Sequence, residues 1–241
     1  MSLFHHIVLT KFNLKRPEFV MDRRGDPVQT DEWMAHRIRL FETYCFPSMR
    51  DQGRQNFTWL VLFDRDTPAR YGDLIKKYEA YDRFTPRFLA APAANPAVLA
   101  CIREAAAPDC DFLITTRIDN DDAFRADAIE VIQSQFSGQS FEFINLPEGA
   151  IVKAEQAFIV REPSNPFMTL IEKRAGRPFQ TVYMDGHHRL GRHGPIRQVP
   201  GGPYWLRVIH ERNMLNEAEG LPCSPRGLEF LFPFLKARVR L

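Results

Sequence analysis

Along the first 146 residues, short apolar runs alternate with stretches whose apolar positions recur at helical spacing. Residues 6–12 form an apolar run that ends at Asn13 and reads as a first strand. From Asp31 onward, Trp33, Ile38, Leu40, Phe41 and Tyr44 supply one helical face. That helix is expected to stop before Pro47, because proline brings no amide hydrogen to an interior turn. Residues 57–63 read as a fully buried strand ending at Asp64. Thr67 and Pro68 then suit the N-cap and first position of a helix running to about Tyr81. Residues 85–90 give a short third strand, and Asn95-Pro96 opens a helix over 97–107 by the same device. The fourth strand, 113–118, is followed by a helix over 125–135 and a fifth strand over 141–146. Strands alternating with helices predict βαβ units, hence an α/β fold with a mostly parallel central sheet flanked by helices.

After residue 146 the alternation is lost. Short extended pieces at 157–161 and 179–184 flank a helix near 166–173, and 186–202 reads as a loop rich in Gly, His, Arg and Pro. A loop of that length in a compact domain is usually functional or disordered. The tail at 227–238 is apolar and ends basic. It is expected to dock on the core, with an apolar patch for a homodimer or a membrane surface as the alternative. The length suits one domain over 1–241.

Charge narrows the partners. With 32 basic and 30 acidic residues the net charge is +2, which leaves no electrostatic footprint of a dedicated nucleic-acid binder. Most of the basic residues are arginine, whose bidentate fork suits phosphate on a small ligand. Cys45, Cys101, Cys110 and Cys223 show no C-x-x-C spacing and are too sparse for a disulfide framework, which points to a reducing cytoplasm. The N-terminus lacks the basic region and apolar core of a signal peptide. No run approaches the roughly 18 apolar residues of a membrane span.

Candidate chemistry concentrates where the fourth strand ends. Thr115-Thr116-Arg117-Ile118 runs into Asp119-Asn120-Asp121-Asp122, so three carboxylates crowd a strand-to-loop junction. In an open α/β sheet the carboxyl edge is where ligands bind. Carboxylates this close repel unless a cation sits among them, and all-oxygen donors select Mg²⁺ or Mn²⁺. The alternative is an acidic turn, with Asp122 capping a helix that begins at Ala123.

Two segments carry a resemblance. Pro47-Ser48-Met49-Arg50-Asp51-Gln52, followed by the strand from Phe57 to Asp64 and Arg65-Asp66-Thr67, is similar to the second strand of GT-A nucleotide-sugar glycosyltransferases. Asp119 to Asp122 resembles their Asp-x-Asp motif, and Ile7 to Asn13 their opening strand. More narrowly, Leu9 to Asn13, Trp33 with Arg37, Leu40-Phe41-Glu42, Pro47-Ser48, Thr116 to Asp122 and Trp205 to His210 resemble the bacterial rhamnosyltransferase family over most of the chain. The resemblance implies a single GT-A (Rossmann-like) domain, with the donor site in 1–146 and the acceptor side and tail in 147–241. It implies a cytoplasmic, metal-assisted and inverting transferase, with peripheral contact at the inner face of the membrane. Such an enzyme moves a sugar, rhamnose, from a nucleoside-diphosphate donor to a hydroxyl of a glycan or lipid-linked acceptor. The chain departs from the wider inverting family in lacking a Glu-Asp pair at a helix start.

Roles follow from this resemblance. Asp119, Asp121 and Asp122 are the expected metal ligands, with His210 completing the shell and His187 and His188 as substitutes. Thr10, Asn13, Arg37, Asp64, Arg117 and Asp119 are expected around the nucleotide. Asp185 is the first choice for the general base and Glu172 the second. Arg189, Arg192 and Arg197 fit a loop closing over the diphosphate. Two other readings compete, a metal-dependent phosphohydrolase or nucleotidyltransferase and a non-catalytic nucleotide-sugar binding module. The segment from Phe57 to Thr67 favours the transferase, since phosphohydrolases need no base-holding acid on a second strand.

Overall fold

A computed structural model describes residues 3–15, 19–91, 95–213 and 217–237. Its larger sheet is built around β1 (Phe4–Lys11), β2 (Thr58–Asp64), β3 (Phe84–Leu89) and β4 (Phe112–Arg117). Ile7, Val8 and Leu9 on β1 and Leu60 to Leu62 on β2 have no exposed surface, which is why these strands read as unbroken apolar runs. Proline is tolerated in β3 because that strand lies at the sheet edge, where Pro86 leaves no interior ladder bond unmade.

Helices α1 (Asp31–Leu40), α2 (Phe46–Arg50), α3 (Gly72–Glu79), α4 (Asn95–Ala105) and α5 (Ala128–Ser134) accompany these strands. The helix opening at Asp31 does not stop before Pro47. Phe41–Cys45 forms a π-helical turn in which the Phe46 amide bonds five residues back to Phe41 O, and α2 then restarts with Pro47 in its first turn, where no amide hydrogen is needed. That turn buries Phe41 against Phe12, Trp59 and Tyr78 at centroid distances of 5.1, 5.4 and 5.2 Å. Thr67 is no N-cap, because its hydroxyl donates to Asp64 O and a 3₁₀ turn over Ala69–Tyr71 precedes α3.

Three further corrections concern the region after β4. Ala123–Phe124 is strand β5 rather than the start of a helix, so Asp122 caps nothing. Residues 166–173 supply β9 (Thr169–Lys173), not a helix. A short apolar run cannot be told from a buried helical segment by periodicity alone, and this one lies between β4 and β6 (Phe141–Asn145), antiparallel to both. Residues 179–184 form no strand and end in a 3₁₀ turn over Val182–Met184.

With β10 (Ile196–Gln198) the sheet order is β10-β6-β9-β4-β1-β2-β3, and every neighbouring pair outside β9 is parallel. The expected mostly parallel α/β sheet is therefore present. A second sheet contains β7 (Glu148–Lys153), β8 (Gln156–Arg161), β11 (Trp205–Ile209) and β12 (Leu221–Cys223), in the order β12-β8-β7-β11-β5. Gly149 on β7 makes room for the Trp205 indole, since a Cβ there would lie 2.2 Å from its ring. The tail folds as α6 (Pro225–Leu228) and a 3₁₀ turn over Pro233–Ala237. Leu228, Phe232 and Leu235 pack with Leu40, Tyr44 and Val208, so the described part of the tail docks on the core, while Arg238 lies outside the described residues. Among the described residues no helix is long and apolar enough to cross a membrane.

Candidate active site

β1 and β4 are adjacent and parallel, with Leu9 opposite Arg117, so their carboxyl ends deliver Lys11 and Arg117 to the same edge. Just beyond that edge lies a cavity of about 610 Å³. Its walls include Lys11, Asn13, Trp33, Arg37, Arg117, Asp119, Asp121 and Asp122, together with Glu162, Tyr183, His187, Arg207, Asn213 and Glu217. This is the position at which open α/β sheets bind ligands.

The acidic turn is held from three sides. Ile118 N donates to Leu9 O, Asn120 Nδ2 donates to Phe12 O at 2.8 Å, and Asp122 N closes the turn on Asp119 O. Asp119 is exposed to the cavity, whereas Asp121 and Asp122 are buried. Oδ2 of Asp121 accepts from Arg37 Nη1 at 2.6 Å, His210 Nε2 at 3.1 Å and Asn213 Nδ2 at 3.4 Å. Burial by itself raises the pKa of Asp121, but the Arg37 charge and the His210 hydrogen bond outweigh it and hold the group well below the usual carboxylate range. Asp122 goes the other way. Burial, with the charges of Asp121 and Asp119, pushes it well above the usual value, and its Oδ1 accepts the Val208 amide of β11 at 3.0 Å.

His210 has a defined tautomer. The Arg212 amide donates to its Nδ1 at 3.3 Å, and His36 Nε2 lies 3.2 Å from the same atom, so in the neutral ring Nε2 carries the proton it gives to Asp121. It therefore meets the acid as a hydrogen-bond donor. Arg212 anchors this loop through Asp22 at 3.6 Å and through Glu32 of α1.

The same wall also carries cations. Lys11 Nζ and the Arg117 guanidinium each lie 4.6 Å from the centre of the Tyr183 ring. Nε of Arg117 and Nε of Arg37 are buried without a hydrogen-bond partner among the described residues. Both arginines line the cavity, and a cationic lining suits an anionic ligand.

Several expected site residues lie elsewhere. Thr10 is buried and takes the Trp59 indole N–H at 2.9 Å, so it faces the core and does not line the cavity. Asp64 is absent from the wall and ties the chain behind it, its carboxylate accepting the amides of Asp66 and Lys15. Asn13 does line the cavity, with its side chain held by Thr67 Oγ1 and the Asp64 amide. Glu172 pairs across the sheet with Leu113, four residues back from Arg117 and roughly 13 Å from the ligand edge. Its two oxygens accept the amides of Gln180 and Thr181 at 2.8 and 2.7 Å, so it is a buried clamp outside the cavity wall. Asp185 is also outside the wall. His193, its own neighbour Gly186 and Arg189 all bond its carboxylate, and these bonds hold it well below the usual range. Arg189, Arg192 and Arg197 do not line the cavity, Arg197 being paired with Glu142 at 2.8 Å. His188 is exposed and outside the wall, whereas His187 is part of it.

Glu162, Tyr183, Arg207 and Asn213 are not among the expected site residues, and each is brought to the cavity from a loop or from the second sheet. Glu162 follows β8 directly and is paired with Arg207 of β11 at 2.5 Å. Its only sequence signal is a charge at the end of an apolar run.

Asp119 and Asp121 offer hard oxygen donors on one turn, which suits Mg²⁺ or Mn²⁺. Among the described residues no three His, Cys, Asp or Glu side chains are grouped so as to hold a metal. The donor set fits a cation held by one or two carboxylates that completes its shell from water and ligand phosphates, the ordinary mode for Mg²⁺ with nucleotides.

Solved structures similar to this chain include TarS 1–349 of S. aureus, at 11% identity and a TM-score of 0.47, with 85% of this chain and 60% of that one covered. The same protein in complex with UDP is similar at 9% identity and a TM-score of 0.43, with 86% and 60% covered. HddC from Yersinia pseudotuberculosis is similar at 12% identity and a TM-score of 0.41, with 84% and 93% covered. This chain thus spans 60% of the length of the TarS 1–349 structures. Among curated proteins, none matches it. The family described as "Putative rhamnosyl transferase" matches residues 8–220, a span that contains every residue of the cavity wall, and the chain belongs to that family.

Proposed function

We propose that this protein transfers a sugar, rhamnose on the family's description, from a nucleoside-diphosphate donor to an acceptor hydroxyl of a glycan or a lipid-linked sugar. The observation that carries the reading is the charge content of the cavity, whose wall holds the Asp119 and Asp121 acids together with the Lys11 and Arg117 cations that share the Tyr183 ring. A departing diphosphate gathers negative charge, and fixed cations placed where that charge develops lower the barrier. Lys11 and Arg117 stand at the carboxyl ends of adjacent strands and supply such charge without rearranging. Arg37, bonded to Asp121, adds a third cation to the wall. Trp33, Phe12 and Phe19 offer apolar surface for a nucleoside or a sugar face.

Asp119 and Asp121 would hold Mg²⁺ or Mn²⁺, with His210 and Asn213 steadying Asp121 rather than ligating. The cation's contribution, when bound, is further positive charge toward the leaving diphosphate. The acceptor oxygen attacks the anomeric carbon on the face opposite the diphosphate, so the configuration inverts.

The test is thermal unfolding with thymidine, uridine, guanosine and cytidine diphosphates, each with and without Mn²⁺, on the wild type, Asp119→Asn and Asp121→Ala. A nucleotide at about 100 times its dissociation constant stabilises the fold by roughly 2.7 kcal/mol. Stabilisation by one nucleotide that needs Mn²⁺ and is lost in Asp119→Asn is the expected result. Asp119 is exposed, so that variant keeps the fold even where Asp121→Ala does not. No stabilisation by any nucleotide in the wild type would sink the proposal.

A further inference from the structure

Inverting transfer requires a group that takes the acceptor hydroxyl's proton, and the two carboxylates expected for it, Asp185 and Glu172, both lie outside the cavity. The wall contains five carboxylates and one imidazole able to accept a proton. Asp119 and Asp121 are assigned above to the cation, and Asp122 is buried with its Oδ1 on the Val208 amide. Glu162 is paired with Arg207, and Glu217 is exposed. His187 remains.

We propose that His187 is the general base of the transfer, accepting the proton of the acceptor hydroxyl on Nε2. The inference rests on the transfer reading above. Its geometry begins with a reciprocal pair of bonds. Ser164 Oγ donates to His187 O at 2.8 Å, and His187 Nδ1 lies 3.1 Å from Ser164 O. A carbonyl oxygen only accepts, so Nδ1 carries the proton of the neutral ring and Nε2 holds the lone pair. The same carbonyl steadies the ring as Nε2 becomes protonated.

Burial, followed by the nearby Arg117 charge, lowers the pKa of His187 below the ordinary histidine value, so the ring is neutral and competent at pH 7. The other ionisable groups that act on it are His188 and Asp119. In the step itself, the hydroxyl O–H bond breaks and its proton passes to Nε2. The oxygen's electron pair forms the new bond to the anomeric carbon, and the bond from that carbon to the diphosphate breaks with its pair leaving on phosphate. The imidazolium then returns the proton to solvent.

The experiment measures nucleoside-diphosphate release from thymidine- and uridine-diphosphate rhamnose, with water or methyl glycosides as acceptors, for wild type, His187→Asn and His187→Gln. Asparagine keeps a donor for Ser164 O but no base. The expected loss in kcat is roughly 100-fold to 10,000-fold. Donor KM and the stabilisation by nucleoside diphosphate stay within threefold, and the acid limb of the wild-type pH profile disappears. In a third variant, His187→Ala, added imidazole restores part of the rate. Variants that keep wild-type kcat and the acid limb overturn the base assignment and leave the transferase reading intact. A wild type that releases nucleoside diphosphate from neither donor overturns the transfer of rhamnose and the base with it, and one that also binds no nucleotide removes the donor site itself.

Discussion

Arg37 Nη1 lies 2.6 Å from Oδ2 of Asp121, joining the first long helix to the acidic turn across 84 residues of chain. Both side chains are nearly buried, at 11% and 8% exposure. A carboxylate removed from water this far must be paired, and Arg37 is the charge that pairs it. Replacing Arg37 by Met leaves Asp121, among the described residues, with the hydrogen bonds of His210 and Asn213. The expected destabilisation is about 3 kcal/mol. In a chain of this size that is a fall of roughly 6–12 °C in Tm. A Tm within 2 °C of wild type would show that the pair contributes little.

Glu172 is expected to matter for shape and not for chemistry. Its carboxylate holds the amides of Gln180 and Thr181, and Thr181 sits at φ 62° and ψ 159°, a backbone region that β-branched residues rarely occupy. Two residues on, Tyr183 forms the platform for Lys11 and Arg117. Glu172→Gln places an amide donor against amide donors and is expected to cost about 2 kcal/mol. Hydrogen exchange at 180–183 should speed up and nucleotide affinity should fall. At saturating donor, kcat should stay within about tenfold, whereas loss of a base costs roughly 100-fold or more. A kcat loss of that larger size would return Glu172 to the chemistry.

A buried histidine away from the cavity makes stability fall in acid. His6 on β1 receives Gln133 Nε2 on its Nδ1 at 3.1 Å, so its Nε2–H donates to Thr116 Oγ1 at 2.8 Å, which in turn lies 2.7 Å from Thr169 Oγ1. Neither nitrogen has room for another proton, and burial with the neighbouring His5 pushes the pKa down to about 3 from an ordinary 6.5. The folded pKa is depressed, so the unfolded chain binds the extra proton first as pH falls. The stability associated with the neutral ring is complete above pH 6.5 and is lost between there and about pH 3. Urea unfolding between pH 6 and 4 should show a slope of roughly 1.4 kcal/mol per pH unit from this residue. His6→Gln should flatten the slope by that amount, and an unchanged slope would refute the assignment.

The acidic turn and the strand leading into it were legible because central parallel strands are apolar on both faces, so the first polar residues after them mark the sheet's ligand edge. Arg37, Arg117, Asn13, Asp119 and Asp121 all line the cavity, as expected from their places at strand ends or on the helix that follows. Thr10 was misplaced by one step of the pleat, since residues alternate faces along a strand and it turns inward to Trp59 where Lys11 reaches the cavity. Glu172 lies on a strand where a helix is expected, because five residues of strand flanked by apolar positions also fit a helix. Pro47 misled for a local reason, as the π turn ahead of it absorbed the missing amide hydrogen.

What the sequence determined by itself is local and periodic. Continuous apolar runs define the buried strands, and the carboxylates crowded after one of them define a charged edge. The tertiary structure alone decided which carboxylates are spent and which groups face the cavity. Asp121 is held by residues 84, 89 and 92 positions away, and the Glu172 clamp and the Tyr183 platform arise only once β9 is inserted antiparallel between β4 and β6. Periodicity records whether a position is buried, because burial depends on the residue's own hydrophobicity. It does not record the partner, because hydrogen bonds and ion pairs depend on the second residue as much as on the first.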